Sequence, residues 1–346
     1  MAAPKINSKA QPTIEWLCAT PAKRLQDLQQ SNLASVRLRT AVGIQAGNAL
    51  GLRHLLSDGR TNFPAQIAVV GKIDYVSDPA RPARWLQRLK DLKTRGASVM
   101  IDYTDHHLSG QTPAAAFYRD ALPLADTILA SSARLGEYLL QHTGRKAVIL
   151  DDPIEVSLQS PRARNNPIKT ILWFGHASNL PYLFDYLLTR YRANGKHRLI
   201  MMTNLHPLPD QYVQALNAPH LAALDIHVIP WSISDMLTAS RLSDLCIIPA
   251  GVADPRKSGA SANRLLTALA LGLPTAADPL DSYMPFANSF IDLQQADLDS
   301  MLEAPELHFP SVIEAQQLIA NQHTMVAAQM RWQQVLASAQ RHGIAV

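Results

Sequence analysis

Residues 170–180 read Thr170-Ile171-Leu172-Trp173-Phe174-Gly175-His176-Ala177-Ser178-Asn179-Leu180. Four large apolar side chains stand in succession (Ile171, Leu172, Trp173 and Phe174). A strand with one wet face alternates polar and apolar residues, so an unbroken run predicts a strand covered by helices on both faces. Gly175 then permits tight backbone geometry, a short polar loop follows, and the pattern turns helical. A buried strand running through a glycine into a helix opens a βαβ unit, and the end of such a strand is where open α/β sheets hold ligands.

Runs of the same kind recur outward from this one, at 65–70, 98–101, 127–130 and 147–150 before it and at 198–202, 226–229 and 245–248 after it. Longer segments with helical spacing separate them, which predicts an α/β chain with parallel sheets. Two of the runs echo each other. Ala125-Asp126-Thr127-Ile128-Leu129-Ala130-Ser131-Ser132 and Ser243-Asp244-Leu245-Cys246-Ile247-Ile248-Pro249-Ala250 each place a small residue and Asp before a buried strand and small or turn residues after it. Any doubly wound fold repeats this layout, so the echo fits a duplicated ligand-binding half and a plain structural repeat equally well.

A length of 346 residues suits about two domains. The stretch from Asp151 to Pro167 is rich in proline, asparagine and charge and carries no periodicity, as a linker does. We therefore place an N-terminal domain at 1–158, a linker at 159–167 and a C-terminal domain at 168–319. The stretch 310–346 has helical spacing and predicts one or two amphipathic helices.

Composition narrows the function. Hydrophobic residues make up 47% and charged residues 17%, as in an ordinary globular chain. No apolar stretch is long enough to span a membrane, and residues 1–13 carry no apolar signal region, so the expected location is cytoplasmic. Two cysteines, Cys18 and Cys246, imply neither a zinc cluster nor a disulfide framework. The net charge of +4 comes without a run of like charge, and aromatics are only 6%, so a nucleic-acid surface is not expected. Segment 81–95 carries Arg81, Arg84, Arg88, Lys90, Lys93 and Arg95 around an apolar face of Trp85, Leu86, Leu89 and Leu92. Such a helix suits packing on a sheet or peripheral contact with an anionic membrane.

Four segments have the residue types for chemistry. The first is Lys257-Ser258-Gly259-Ala260-Ser261-Ala262-Asn263-Arg264 and the apolar helix continuing to Gly272 and Pro274. We expect its start to be capped by Ser258, Gly259 and Ser261, its end to fall at Gly272, and its free amides, with Lys257, to suit a phosphate. An ordinary capped helix with a solvated lysine fits the same spacing. The second is the Gly175-to-Asn179 loop, which is also compatible with a simple β–α turn. The third is Asp102-Tyr103-Thr104-Asp105-His106-His107, directly after a strand, where Asp105 or His106 can orient or deprotonate a hydroxyl. Adjacent histidines point apart, and no metal site is expected there. The fourth is Ser35-Val36-Arg37-Leu38-Arg39, which, if extended, turns both guanidiniums to one face and suits an acidic substrate.

In this order the segments resemble GT-B glycosyltransferases, and the resemblance runs over nearly the whole chain. Phe174-Gly175-x3-Asn179 looks like the glycine loop of their C-terminal domain. Trp231 through Asp244 to Pro249 looks like their helix–Asp–strand–Pro element, and 257–274 looks like their donor-binding helix. Ser35-x-Arg37-x-Arg39, Asp102-Tyr103-x-Asp105 and Ala125-Asp126…Ser131-Ser132 resemble N-terminal segments of such proteins.

The resemblance implies an α/β fold of GT-B architecture, with two Rossmann-like domains facing across a cleft. A helix at 320–346 would complete the first of them. It also implies transfer of a sugar from a nucleotide sugar to a glycan, lipid or protein acceptor, as in surface polysaccharide or glycoconjugate biosynthesis. Gly175, Asn179, Lys257, Ser258, Gly259, Asn263 and Arg264 would hold the donor, and Arg37 and Arg39 the other substrate. Asp105, His106 and Lys257 would act in catalysis, without a metal or other cofactor. The chain departs from the large retaining fourth family. Gly259 and Thr267 stand where that family carries two glutamates eight positions apart. A catalytically silent GT-B-like binding protein and a sugar-nucleotide epimerase therefore stay open as alternatives.

Overall fold

The protein is described by a computed structural model covering residues 12–19, 24–164, 166–192 and 195–343. The polar stretch before Pro12, Asn165 of the linker and the last three residues lie outside the described part. The chain divides into two compact units. One comprises 1–130, 139–150 and 329–346; the other comprises 131–138 and 151–328.

The first unit holds a six-stranded sheet of β1 (Thr13–Leu17), β2 (Arg53–Ser57), β3 (Ile67–Val70), β4 (Ser98–Tyr103), β5 (Thr127–Ala130) and β6 (Val148–Ile149). Its order is β2-β1-β3-β4-β5-β6 and every pairing is parallel. The expected runs form β3 to β6. The first two strands were not legible as buried runs. β1 reads Thr-Ile-Glu-Trp-Leu, yet all five residues are buried. Its Glu15 is neutralised by Arg88, whose guanidinium meets the carboxylate at 2.5 Å with both side chains almost fully buried. A partner 73 residues away makes a charged residue tolerable inside the sheet, and local patterning cannot show it. On its other face β1 sends Trp16 against Trp332 of the helix Met325–Gly343, with ring centroids 5.6 Å apart.

The helix Arg81–Thr94 buries Trp85, Leu89 and Leu92. Its basic residues turn to carboxylates of the same unit: Arg81 to Asp74, Arg84 to Asp78, Arg88 to Glu15 and Lys93 to Asp126. Segment 36–40 is helical rather than extended. Val36–Thr40 is a π-helical turn that runs into the helix Ala41–Ala49, so Arg37 and Arg39 do not form the expected flat face.

The second unit holds β7 (Lys169–Gly175), β8 (His197–Thr203), β9 (Leu224–Pro230), β10 (Leu245–Ile248), β11 (Thr275–Ala277) and β12 (Ile291–Asp292). The order is β12-β11-β10-β7-β8-β9, again wholly parallel. The chain starts in the middle, builds outward through β8 and β9, then returns to the other side of β7 with β10. β7 has a core on each face. Leu172 and Phe174 pack into one cluster with Ile248 and Leu266, while Ile171 and Trp173 pack into another with Leu199 and Ile247. Two cores explain the unbroken apolar run from Ile171 to Phe174, and each large side chain so buried contributes about 1.5–3 kcal/mol.

The segment from Lys257 to Pro274 departs from the single helix expected. It forms a short turn, Pro255–Ser258, and a separate helix, Asn263–Ala270. Asp254 caps the turn by accepting the Arg256 N–H, and no side chain caps the helix at Ala262. The break has a cause within the unit. Ser258 is buried against the Tyr138 hydroxyl at 2.6 Å, and the Gly259 carbonyl accepts the Ser132 hydroxyl at 2.8 Å. These bonds draw the backbone out of helical register. The end of the helix is as expected: Gly272 has φ +74°, and a Cβ there would come within 2.5 Å of the Gln159 carbonyl oxygen.

Candidate functional site

In the second unit the strand order reverses between β7 and β10. Ligands of open parallel sheets bind in the crevice outside the strand ends at such a reversal. On one side of it β7 ends at Gly175, where a Cβ would come within 3.0 Å of the Trp173 ring. The chain then makes a short turn, Ala177–Asn179, whose first N–H donates to Asn204 Oδ1 beyond β8 at 2.7 Å. On the other side β10 leads through Pro249 and Gly251 to Asp254 and the turn Pro255–Ser258. Lys257 projects from that turn, and its Nζ donates to Asn179 Oδ1 at 3.0 Å.

Two residues singled out by sequence, 78 positions apart, are thus brought into contact at the reversal, beside Gly175. Tyr182 lies under them. Its ring centroid is 5.5 Å from the Lys257 ammonium, and its hydroxyl donates to Asp254 Oδ2 at 2.9 Å. Asp254 also accepts from the Arg256 guanidinium at 2.8 Å. Those bonds, Arg256's side chain first, pull the Asp254 carboxyl down to about 2. The loop before this turn is fixed as well. Ala250 N–H donates to Asp278 Oδ2 at 2.9 Å, and Arg190 holds the same carboxylate with two bonds of 2.8 and 2.7 Å.

The remaining expected donor residues lie along the same segment with their side chains engaged elsewhere. Ser258 and Gly259 bond to Tyr138 and Ser132. Asn263 donates to the Pro153 carbonyl at 3.0 Å. Arg264 turns toward Tyr283 and Cys246, and its Nη1 is buried with no hydrogen-bond partner among the described residues. Of the positions compared with the family's glutamates, Gly259 lies against the Tyr138 ring, 3.3 Å from where a Cβ would sit, and Thr267 is buried.

In the first unit, β4 delivers Asp102 to Asp105 at its C-terminal end. Arg39 is 1% exposed and grips Asp102 through Nε at 2.8 Å and Nη2 at 2.6 Å, while Nη1 donates to the Leu150 carbonyl. Arg37 is also buried and donates to the Ser31 carbonyl. Both guanidiniums therefore serve the packing of their own unit. Asp105 is partly exposed and pairs with Lys72 at 2.5 Å. His106 is 1% exposed, 3.5 Å from the Tyr103 hydroxyl and edge-on to the His142 ring. Burial first, then the His142 and His107 charges, lowers its pKa to about 4, so its ring is neutral at pH 7. Of this pair, Asp105 is the one that reaches solvent.

Sequence reading missed Tyr182, Asp254, the Arg190–Asp278 pair and Lys72. Asp254-Pro255 did carry a legible signal, because Asp followed by Pro is a strong helix start. Tyr182 carried none beyond its place one residue after Pro181.

Known structures share this architecture. HepE from Anabaena, solved with UDP, superposes with a TM-score of 0.61 at 12% identity, over 95% of this chain and 100% of that one. An α-glucosyltransferase solved with UDP-glucose and DNA containing an abasic site gives 0.56 at 11%, over 91% and 95%. The lipopolysaccharide outer core galactosyltransferase WaaB, solved in its apo form, gives 0.55 at 12%, over 95% and 99%. The fold is GT-B. No protein-family model matches the sequence, and no curated protein does. No helix among the described residues is long and apolar enough to cross a membrane.

Proposed function

We propose that this GT-B chain is a glycosyltransferase that takes its sugar from a nucleoside diphosphate donor. The observation that carries the reading is the meeting of Lys257 and Asn179 at the strand-order reversal of the second unit. When the bond from the sugar's anomeric carbon to the diphosphate breaks, negative charge develops on the leaving phosphate. An ammonium about 4 Å from it is worth on the order of 4 kcal/mol at the effective dielectric of a protein surface. In this reading Lys257 supplies that charge, the amides around Gly175 and Asn179 approach the same group, and no divalent metal takes part. The second unit takes the donor and the first the acceptor, whose hydroxyl loses its proton to Asp105. UDP and UDP-glucose in two of the similar structures make UDP sugars the donors to try first.

Gly259 favours a second reading, a GT-B chain that binds nucleotide without transferring sugar. Gly259 and Thr267 stand where the retaining fourth family carries its two glutamates, so neither carboxylate is present. A thermal-shift series with UDP, GDP, ADP and their sugars tests what the two readings share. Binding to the folded chain raises its melting temperature, by an amount set by ligand concentration over Kd. A rise with one base and none with the others supports a nucleotide site, and no rise with any of them removes both readings. Donor hydrolysis by the purified protein then separates transferase from silent binder.

A further inference from the structure

We propose that Tyr182 is a positioning residue for Lys257, and that it sets donor affinity by holding both the turn that bears the lysine and the ammonium at its tip. The inference rests on the nucleotide-site reading above.

Tyr182 has two separate holds. Its hydroxyl donates to Asp254 Oδ2 at 2.9 Å, and Asp254 organises the turn Pro255–Ser258 by accepting the Arg256 N–H on its side chain and the Lys257 N–H on its carbonyl at 2.8 Å. Its ring face carries the Lys257 ammonium 5.5 Å from its centroid, a cation–π distance. A helical turn of four residues is too short to hold itself and depends on tertiary contacts. A lysine side chain has four rotatable bonds, so a phosphate that recruits a loose one must also order it. Tyr182 and Asn179 do that ordering in advance, from the side of the site built by β7.

The surroundings hold the ring in place. A Cβ at Gly251 would lie 2.5 Å from the Tyr182 ring, so the loop after β10 runs flat against it. That loop is pinned on either side of the glycine, at Ala250 by Asp278 and at Asp254 by Tyr182 itself. Gly251 has a negative φ, so its role here is room for the ring. With an alanine at 251 the ring or the loop must give, so that substitution disturbs the Tyr182 contact without removing a charged group.

The test is the Kd for UDP, with GDP and ADP beside it, by titration calorimetry on wild type, Tyr182→Phe, Tyr182→Leu and Gly251→Ala. Losing a cation–π hold and the order it imposes is expected to raise Kd about tenfold in Tyr182→Leu. Gly251→Ala should match it, and Tyr182→Phe, which keeps the ring, should lose only a few-fold, all with little change in melting temperature. In a Lys257→Ala background, Tyr182→Leu should have no further effect, because a residue that acts through the lysine has nothing left to act on. Equal affinity in wild type and Tyr182→Leu, or an additive loss in the Lys257→Ala background, overturns the positioning role and leaves the nucleotide site standing. If wild type binds no nucleoside diphosphate, the nucleotide-site reading falls and takes this inference with it.

Discussion

Arg39 shows how far a single residue's chemistry can mislead when its partner is distant in sequence. An arginine in an Arg-x-Arg pattern fits an acidic substrate, but Asp102, 63 residues on, takes its guanidinium inside the first unit. With both side chains almost fully buried, removing one leaves a buried charge unpaired, which costs about 3–5 kcal/mol. Arg39→Met is expected to lower the unfolding free energy by about that much, while the folded fraction binds nucleotide as before. Restoration of part of the loss by a second change, Asp102→Asn, would confirm that the stranded carboxylate is the cause. Unchanged stability in Arg39→Met would contradict the account. Lys257 is the opposite case. The structure brings it to Asn179, 78 positions away, because both sit on loops that a parallel sheet delivers to one edge.

Among the elements, unbroken apolar runs identified themselves and broken ones did not. β3 to β6 and β7 to β10 each have enough apolar character to be read locally. β1 hides behind Glu15. β2 begins with Arg53 and His54, at the sheet edge, and β11 offers only Thr275, Ala276 and Ala277. Short strands of small residues have no periodic signal to read. The segment 257–274 was legible at its end, where Gly272 and Pro274 act locally, and misread at its start. There Tyr138 and Ser132, about 120 residues earlier, draw Ser258 and Gly259 out of the helix. Helix ends set by the chain itself can be read from sequence; those set by tertiary bonds cannot.

At the scale of the molecule, each unit carries its own response to acid. His54 and His106 lie in the first unit with pKa values lowered to about 4, by burial above all, against an unfolded value near 6.5. Between those values the unfolded chain binds protons that the folded chain refuses. Stability is therefore complete above about pH 6.5 and falls as the pH drops toward 4, by about 1.4 kcal/mol per histidine for each pH unit well inside the window. His106 lies 3.5 Å from the Tyr103 hydroxyl, and the His142 and His107 charges add to the burial that lowers its pKa. In the second unit the carboxyls of Asp225, Asp254 and Asp297 are depressed, Asp254 to about 2, and what they contribute is lost only below about 3.8, the unfolded carboxyl value. Hydrogen exchange at pH 7, 5.5 and 4.5 should show peptides of the first unit losing protection first, and His106→Gln should flatten that loss. Equal loss in both units, or none above pH 4.5, would contradict this assignment.

The most direct measurement is release of UDP from a UDP sugar by purified wild type and by Lys257→Ala, with melting temperature followed beside it. If Lys257 carries the charge of the leaving diphosphate, the alanine variant should lose about 10²-fold in turnover and melt where wild type does. Equal turnover in the two proteins would contradict the account at its centre.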